Sequence, residues 1–438
     1  MTRFGFRSAF VFMSLPLLMP LPLAAQDHAG MRPGPIGEPR SRESSGTAWL
    51  PDASPMHALH GQRGAWELML HGWLYVHWLD DGGDRGREQL GSTNWAMGMA
   101  RRPALGGDVT LRVMLSADPL TAGECGYPDL LATGEFCDDE PLHDRQHPHD
   151  AFMELAAVYE RALSDGVALQ LYGGPAGEPA LGPVAFPHRI SSFANPIAPI
   201  GHHWLDSTHI AYGVATAGVY GRAWKAEASL FNGREPDAER WDLDLGALDS
   251  YSGRLWFLPS DHWALQVSGG RLSEAETHEA GGPRIDVTRV TASATHHRGL
   301  PRGGSWMSTI AWGRNREEGE STNAVLAETN LNFAERDLVF ARAEMVQKTG
   351  GDLVLEHELE GEVYRVGKIG AGYVRQLAPR GGLVPGFGAG VTISLVPEDL
   401  ESVYGSRTPL GLQLFFRLRP APMEDHEAPE PGMDHGDH

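Results

Sequence analysis

Between Ala65 and Arg419 apolar and polar residues alternate in sixteen short runs, and the connections between runs go long, short, long, short to the end. Successive strands of a transmembrane β-barrel cross the bilayer in opposite directions, so one end carries tight turns and the other long loops. The rhythm predicts an all-β fold, an antiparallel transmembrane β-barrel of about 16 strands with long extracellular loops and short periplasmic turns.

The first run shows why. Trp66, Leu68, Leu70, Gly72, Leu74, Val76 and Trp78 share one face of a period-two strand, and Glu67, Met69, His71, Trp73, Tyr75 and His77 share the other. An apolar face ended by tryptophans suits lipid, and a mixed face suits a wet interior. A soluble sandwich would turn its polar face outward instead. Later runs repeat the pattern: Val109, Leu111, Val113 and Leu115 oppose Thr110, Arg112, Met114 and Ser116, and Val339, Ala341, Ala343 and Met345 oppose Arg342, Glu344 and Lys348. A charged inner row of both signs lines a water-filled or plugged lumen, and its plain reading is a solvated pore wall that selects by size alone. Strands are predicted near 65–79, 93–102, 108–117, 151–163, 167–174, 207–217, 219–231, 249–258, 263–272, 285–297, 304–315, 322–333, 338–348, 362–377, 386–396 and 410–419.

Arg3 and Arg7 precede an apolar run from Ala9 to Leu23, and Ala24 and Ala25 offer a cleavage site, so residues 1–25 read as a secretory signal. No later stretch approaches the ~18–20 continuous apolar residues of a membrane helix, which leaves strands to enter the bilayer. Residues 26–63, rich in Pro, Gly, Ser and Arg, read as a disordered periplasmic lead; 64–419 form the barrel; 420–438 hang as a His/Met/Asp tail. An even strand count puts both termini in the periplasm and the barrel in the outer membrane, with lipid as its partner. The 54 glycines, 12 tryptophans and net charge of −21, with a mean hydropathy of −0.29, fit polar loops and a polar lumen. The acidic excess excludes nucleic acid as a partner. Cys125 and Cys137, the chain's 2 cysteines, are expected to form a loop disulfide in an oxidising compartment, with a thiolate metal pair as the alternative.

Two connections, 118–150 and 174–206, far exceed the ~12–15 residues beyond which an irregular loop is functional or disordered. They and their strand ends hold His143, His147, His149, His188, His202, His203 and His209 of the 20 histidines, with Asp144, Asp150 and Asp206 among them. Imidazole and carboxylate together suit Zn(II), Cu(II) or Ni(II), although neither loop carries the spacing of a closed site and structural loop packing remains open. The Gly/Pro-rich stretch 175–195 is expected to fold back into the lumen and bring His188 and Arg189 to the pore axis. The two tails add Asp27, His28, Met31, Met56, His57 and His60, then Met423, Asp425, His426, Met433, Asp434, His435, Asp437 and His438. Thioether with imidazole favours copper; a solvated acidic tail is the alternative. The candidate metal ligands are therefore His143, His147, His149, Asp150, His188, His202, His203, Asp206, His209, Met433, His435 and His438, for a copper or zinc ion.

The segments Asp144-Arg145-Gln146-His147-Pro148-His149-Asp150, Met153-Glu154-Leu155, Tyr172-Gly173-Gly174-Pro175-Ala176-Gly177-Glu178-Pro179, Gly201-His202-His203-Trp204-Leu205-Asp206-Ser207-Thr208-His209 and Tyr404-Gly405-Ser406-Arg407-Thr408-Pro409 resemble a family of proteobacterial outer-membrane barrels from which no activity carries over. In layout the chain is also similar to the copper-resistance outer-membrane B proteins, but it lacks their repeated Met/His motifs in the lead. The resemblance implies a channel concerned with copper or another metal ion, working with a periplasmic metal-efflux or metallochaperone partner. A general porin for small polar solutes is the alternative. An outer-membrane enzyme built on Asp206, Ser207 and His209, or on Asp144, His147 and Asp150, is the third reading. The metal reading predicts loop histidines within ~5 Å of one another, the porin an open lumen with separated histidines, and the enzyme a serine or acid hydrogen-bonded to a histidine.

Overall fold

The computed structural model describes residues 31–422 except 124, 278–281, 335 and 357–358. Its strands are β1 (Leu59–Arg63), β2 (Trp66–Asp81), β3 (Glu88–Ala104), β4 (Gly107–Leu115), β5 (Tyr127–Cys137), β6 (Glu140–Gln146), β7 (Phe152–Ser164), β8 (Val167–Gly177), β9 (Ala211–Tyr220) and β10 (Trp224–Phe231). The chain continues through β11 (Ser250–Ser260), β12 (Trp263–Glu276), β13 (Ile285–Leu300), β14 (Gly304–Glu317), β15 (Glu320–Ala334), β16 (Asp337–Thr349), β17 (Val363–Gln376), β18 (Leu383–Leu395) and β19 (Leu410–Pro420). All but β1, β5 and β6 pair antiparallel with their neighbours, and β19 closes on β2, giving a sixteen-stranded barrel as the rhythm predicted. β1 lies against β2 just beyond the end of β19: Leu418 pairs with Leu74, and Leu59 takes the place opposite Leu70.

Alternation decides what each face meets. Leu111, Val113, Leu255, Phe257, Ile310, Met345, Ile369 and Leu414 are exposed on the outside, an apolar belt of the kind a bilayer solvates. Residues of the opposite parity on the same strands, among them Arg112, Arg254, Arg342, Lys348 and Arg417, are buried inside. No helix among the described residues is long and apolar enough to cross a membrane. The tight turns close one end; at Leu105-Gly106, for example, both residues take positive φ (55° and 74°), which suits the twist of a two-residue hairpin.

Two departures matter. The segment expected to be a disordered lead is ordered from residue 31 and lies inside the barrel. Trp49 and Leu50 pack with Tyr220, Trp256 and Met307 of the inner wall. Arg42 pairs with Asp52 through two 2.8 Å bonds and lies 4.6 Å from the Trp49 ring centre. The wall answers the segment's backbone: Arg112 donates to the Gly46 carbonyl at 2.6 Å and Lys225 to that of Thr47. Arg40 donates in turn to Glu160 at 2.7 Å. Composition reports only that the segment has no period of its own; an aperiodic segment becomes ordered when charged partners satisfy its backbone. The second departure is inside the 118–150 connection, where β5 and β6 form a separate two-stranded sheet tied by a Cys125–Cys137 disulfide. The bond removes the thiolate pair as a metal-binding option.

Candidate functional site

The connection between β8 and β9, residues 178–210, is buried along almost its whole length and runs through the lumen, from Trp204 beside Thr322 of β15 to Phe193, whose carbonyl accepts from Arg417 of β19 at 3.2 Å. Gly182 (φ 88°) lets it double back: a Cβ there would stand 2.3 Å from the Leu205 carbonyl oxygen. Arg189 anchors it, donating to Glu328 Oε1 of β15 at 2.5 Å, Asp206 Oδ2 at 2.8 Å and the Val184 carbonyl at 2.9 Å. The helical turn His202–Leu205 then presents His202 and His203 to the loop from β4 to β7.

Five of the predicted histidines converge there. Ring centres are 5.1 Å apart for His202 and His209, 5.4 Å for His149 and His209, 5.5 Å for His202 and His203, and 5.9 Å for His147 and His203. Phe186 sits among them, 5.3 Å from His202 and 5.7 Å from His149. Three imidazoles use Nδ1 on a carboxylate: His149 on Asp118 at 2.7 Å, His202 on Asp206 at 2.8 Å and His203 on Glu235 at 2.8 Å. A carboxylate acceptor assigns the proton to Nδ1 and turns Nε2 away from it, as outer partners orient metal-ligating histidines. Nε2 of His203 and of His209 is buried without a hydrogen-bond partner. Ligand atoms of His203, Glu235 and Glu276 all lie within 4.8 Å of one another. Gly134 (φ 118°) of β5 closes over this point, where a Cβ would meet the His203 ring at 2.3 Å.

Burial sets the charge states. It pushes His147, His202 and His209 below the ordinary imidazole range. Burial alone would depress His203 as well, but the Glu235 carboxylate beside it raises it. Burial would raise Asp206, yet Arg189 and His202 hold it well below the usual carboxylate range. Glu135 is lifted to about 7 by burial, despite its Arg240 partner.

Other predicted residues stand apart from this cluster. His143 is bonded to Asp144 at 2.8 Å on the β6 strand. Asp150 faces Arg240 at 3.4 Å rather than a histidine. His188 lies 4.4 Å from Trp95 and 5.7 Å from His71, and lines a small pocket with His209 at the edge of the cluster. Met433, His435 and His438 lie outside the described residues, as do His28 and the signal segment. Ser207 Oγ accepts from Arg289 at 2.8 Å and His209 Nδ1 faces the Asp206 carbonyl at 2.9 Å, so this set shows no nucleophile-to-base pairing. Glu235, Glu276 and Asp118, the carboxylates that face the histidines, were missed by sequence reasoning. Glu235 and Glu276 come from the connection after β10 and from the end of β12, and no local spacing links them to His203.

Fold and site together define a closed antiparallel membrane barrel whose lumen is filled by its own chain. No family model matches the sequence, and no curated protein matches it either. Solved structures do. OprB of Pseudomonas putida is similar at 10% identity and a TM-score of 0.49, over 81% of this chain and 94% of its own. An anion-selective porin from Comamonas acidovorans is similar at 10% identity and 0.48, over 81% and 99%, and the channel DcaP of Acinetobacter baumannii at 9% and 0.45, over 82% and 98%. These are likenesses of barrel shape, and what those proteins conduct says nothing of this chain.

Proposed function

We propose that this chain is an outer-membrane channel for small polar solutes, held closed by its own N-terminal segment and by the loop between β8 and β9. The observation that carries the reading is the lumen itself. Charged side chains of both signs line it on most of the barrel strands, among them Arg112, Glu154, Glu227, Arg254, Arg342 and Lys368, a wall that fits water or a polar segment and would be costly in a solid scaffold. Passage requires the segment to leave, because it occupies the space between the walls. The secretory signal and the apolar belt favour the outer membrane, with the tight turns toward the periplasm.

The test is conductance in planar bilayers. The full chain is expected to give rare or no openings, and a chain lacking residues 34–56 to give steady ones. A full chain that conducts like an open porin, or a deleted, folded chain that stays silent, contradicts the reading.

A second reading rests on the histidine cluster: a borderline divalent ion such as Zn(II) or Cu(II) held near His203, Glu235 and Glu276. The convergence of loop imidazoles, with carboxylates behind them, supports it. Calorimetry with Zn(II) on the detergent-solubilised chain is expected to show one site that His203→Gln abolishes; heat unchanged by that substitution counts against it.

A further inference from the structure

A second group of metal-ligand side chains lies in the other half of the lumen. Of the nine methionines among the described residues, six line one internal cavity of about 230 Å³: Met31, Met56, Met69, Met97, Met99 and Met307. Met31 and Met56 arrive on the N-terminal segment, Met69 on β2, Met97 and Met99 on β3, and Met307 on β14. Methionine is a common gap-filler in apolar cores. Here it surrounds a space that is not filled, and it does so together with His57, His60, His71 and His188.

Thioethers and imidazoles dominate one side of the lining, and charged side chains in ion pairs border the rest. His71 Nε2 and Trp95 Nε1 are buried without hydrogen-bond partners. The rings of His71, His188 and Trp95 form one wall, with centres 4.4 to 5.7 Å apart. The arginines at the margin are paired with acids: Arg101 with Asp108 at 2.7 Å, Arg40 with Glu160 at 2.7 Å, and Arg112 with Glu154 at 3.7 Å. Arg419 binds Gln376 at 2.8 Å and faces His57 at the far side of the cavity, which disfavours a cation there. The two carboxylates of the lining are held by arginines, Glu43 by Arg40 and Glu67 by Arg32 and Arg101, and thioether with imidazole selects for soft, singly charged metals.

We propose that this cavity is a binding site for a soft monovalent metal ion, Cu(I) or Ag(I), held by thioethers of β2 and β3, by His71 and by the docked N-terminal segment. The site lies away from His202 and His203, with His188 of the loop between it and His209, and it does not depend on whether the barrel conducts. Because Met31 and Met56 enter with the segment, a bound ion ties the segment to the wall.

Ag(I), which needs no reductant, is the probe. The full chain in detergent is titrated with silver nitrate in a chloride-free buffer, desalted and assayed for retained metal, with tryptophan emission followed for Trp73 and Trp95. One retained Ag(I) per chain is expected, with an emission change. Met97→Leu combined with Met99→Leu conserves volume and is expected to weaken binding at least tenfold, while His203→Gln leaves it unchanged. Heat-modifiable migration on gels verifies the barrel, and His71→Phe serves should the double variant fail to fold. No retained silver, unchanged affinity in the folded β2 or β3 variants, or equal loss in His203→Gln overturns the proposal. So does an apolar dye that fills the cavity while silver is excluded.

Discussion

The two halves of the lumen are filled in different ways. Near the long loops, imidazoles, arginines and carboxylates are matched almost one to one, as in Arg189 with Asp206 and Glu328, and His203 with Glu235. Toward the tight turns the N-terminal segment also pairs its charges, yet leaves cavities of about 230 and 880 Å³, the larger one bordered by Arg32, Arg40 and Arg419. Both halves are built from irregular chain inside a regular barrel. The difference is covalent freedom: the loop between β8 and β9 is fixed at both ends, while the N-terminal segment is fixed at one. A segment held at one end can leave without breaking the barrel, so the half with empty space is also the half that can open.

The largest expected effect is on the tightly matched half. Arg189→Ala leaves Asp206 and Glu328 buried with their main partner gone, a loss on the order of 3–5 kcal/mol for a broken buried pair. Protease cleavage within 178–210 is expected to become fast while the strands stay intact. If the loop stays as resistant as before, the matching is not what holds it.

On the other half, Trp49→Ala removes a ring packed on Tyr220 and covered by Arg42. Truncating a buried tryptophan costs about 3–5 kcal/mol in a core that cannot collapse, and somewhat less here, beside open space. The expected outcome is nicking of residues 31–58 first, with a smaller loosening of the loop between β8 and β9, whose Val184 and Ile190 share the Trp49 cluster. Equal loosening of both would show that the halves act as one unit.

Acid separates them further. His147, His202 and His209 have folded values below the ordinary 6.5. An opened loop therefore takes up protons that the closed loop refuses, and the closed state loses stability as pH falls below about 6.5. His203 runs the other way, since its raised value adds stability at low pH that is lost as pH rises through it. His188 of the same loop joins the first group, and Glu135 and Glu178, lifted to about 7 by burial, join the second; the imidazoles held well below their ordinary range outweigh these, so net loosening in acid is expected, visible as faster cleavage of 178–210 at pH 5 than at pH 7.5 by an acid-tolerant protease. No pH dependence would contradict the buried, neutral state of the three. The smallest effect belongs to His143→Ala, a partly exposed pair with Asp144 outside the cluster. It should change stability by less than about 1 kcal/mol and leave Zn(II) binding intact.

The barrel was legible because period two survives in sequence. Each predicted strand overlaps an observed one, and Arg112, Arg342 and Lys348 point inward as their parity required. Even the return of Arg189 into the lumen followed from Gly and Pro content. The contents of the lumen were harder to read. Residues 31–58 carry no periodicity, and their order comes from partners such as Lys225 and Arg112 that lie more than sixty residues away. Histidine enrichment flagged the loop cluster, but the choice of His149 over His143 depends on Asp118 standing at the far end of the same connection. Met69 was visible only as an inner-face residue, and nothing in the strand pattern joined it to Met97 and Met99 until the docked segment supplied Met31 and Met56.

Hydrogen–deuterium exchange across residues 31–58 of the full-length, folded barrel tests the docked N-terminal segment most directly. The expected result is protection of the backbone around Arg42–Leu50 that persists for minutes to hours, as in the barrel strands it touches. Complete exchange of that stretch within seconds, at the rate of a free peptide, would contradict a lumen closed by its own chain.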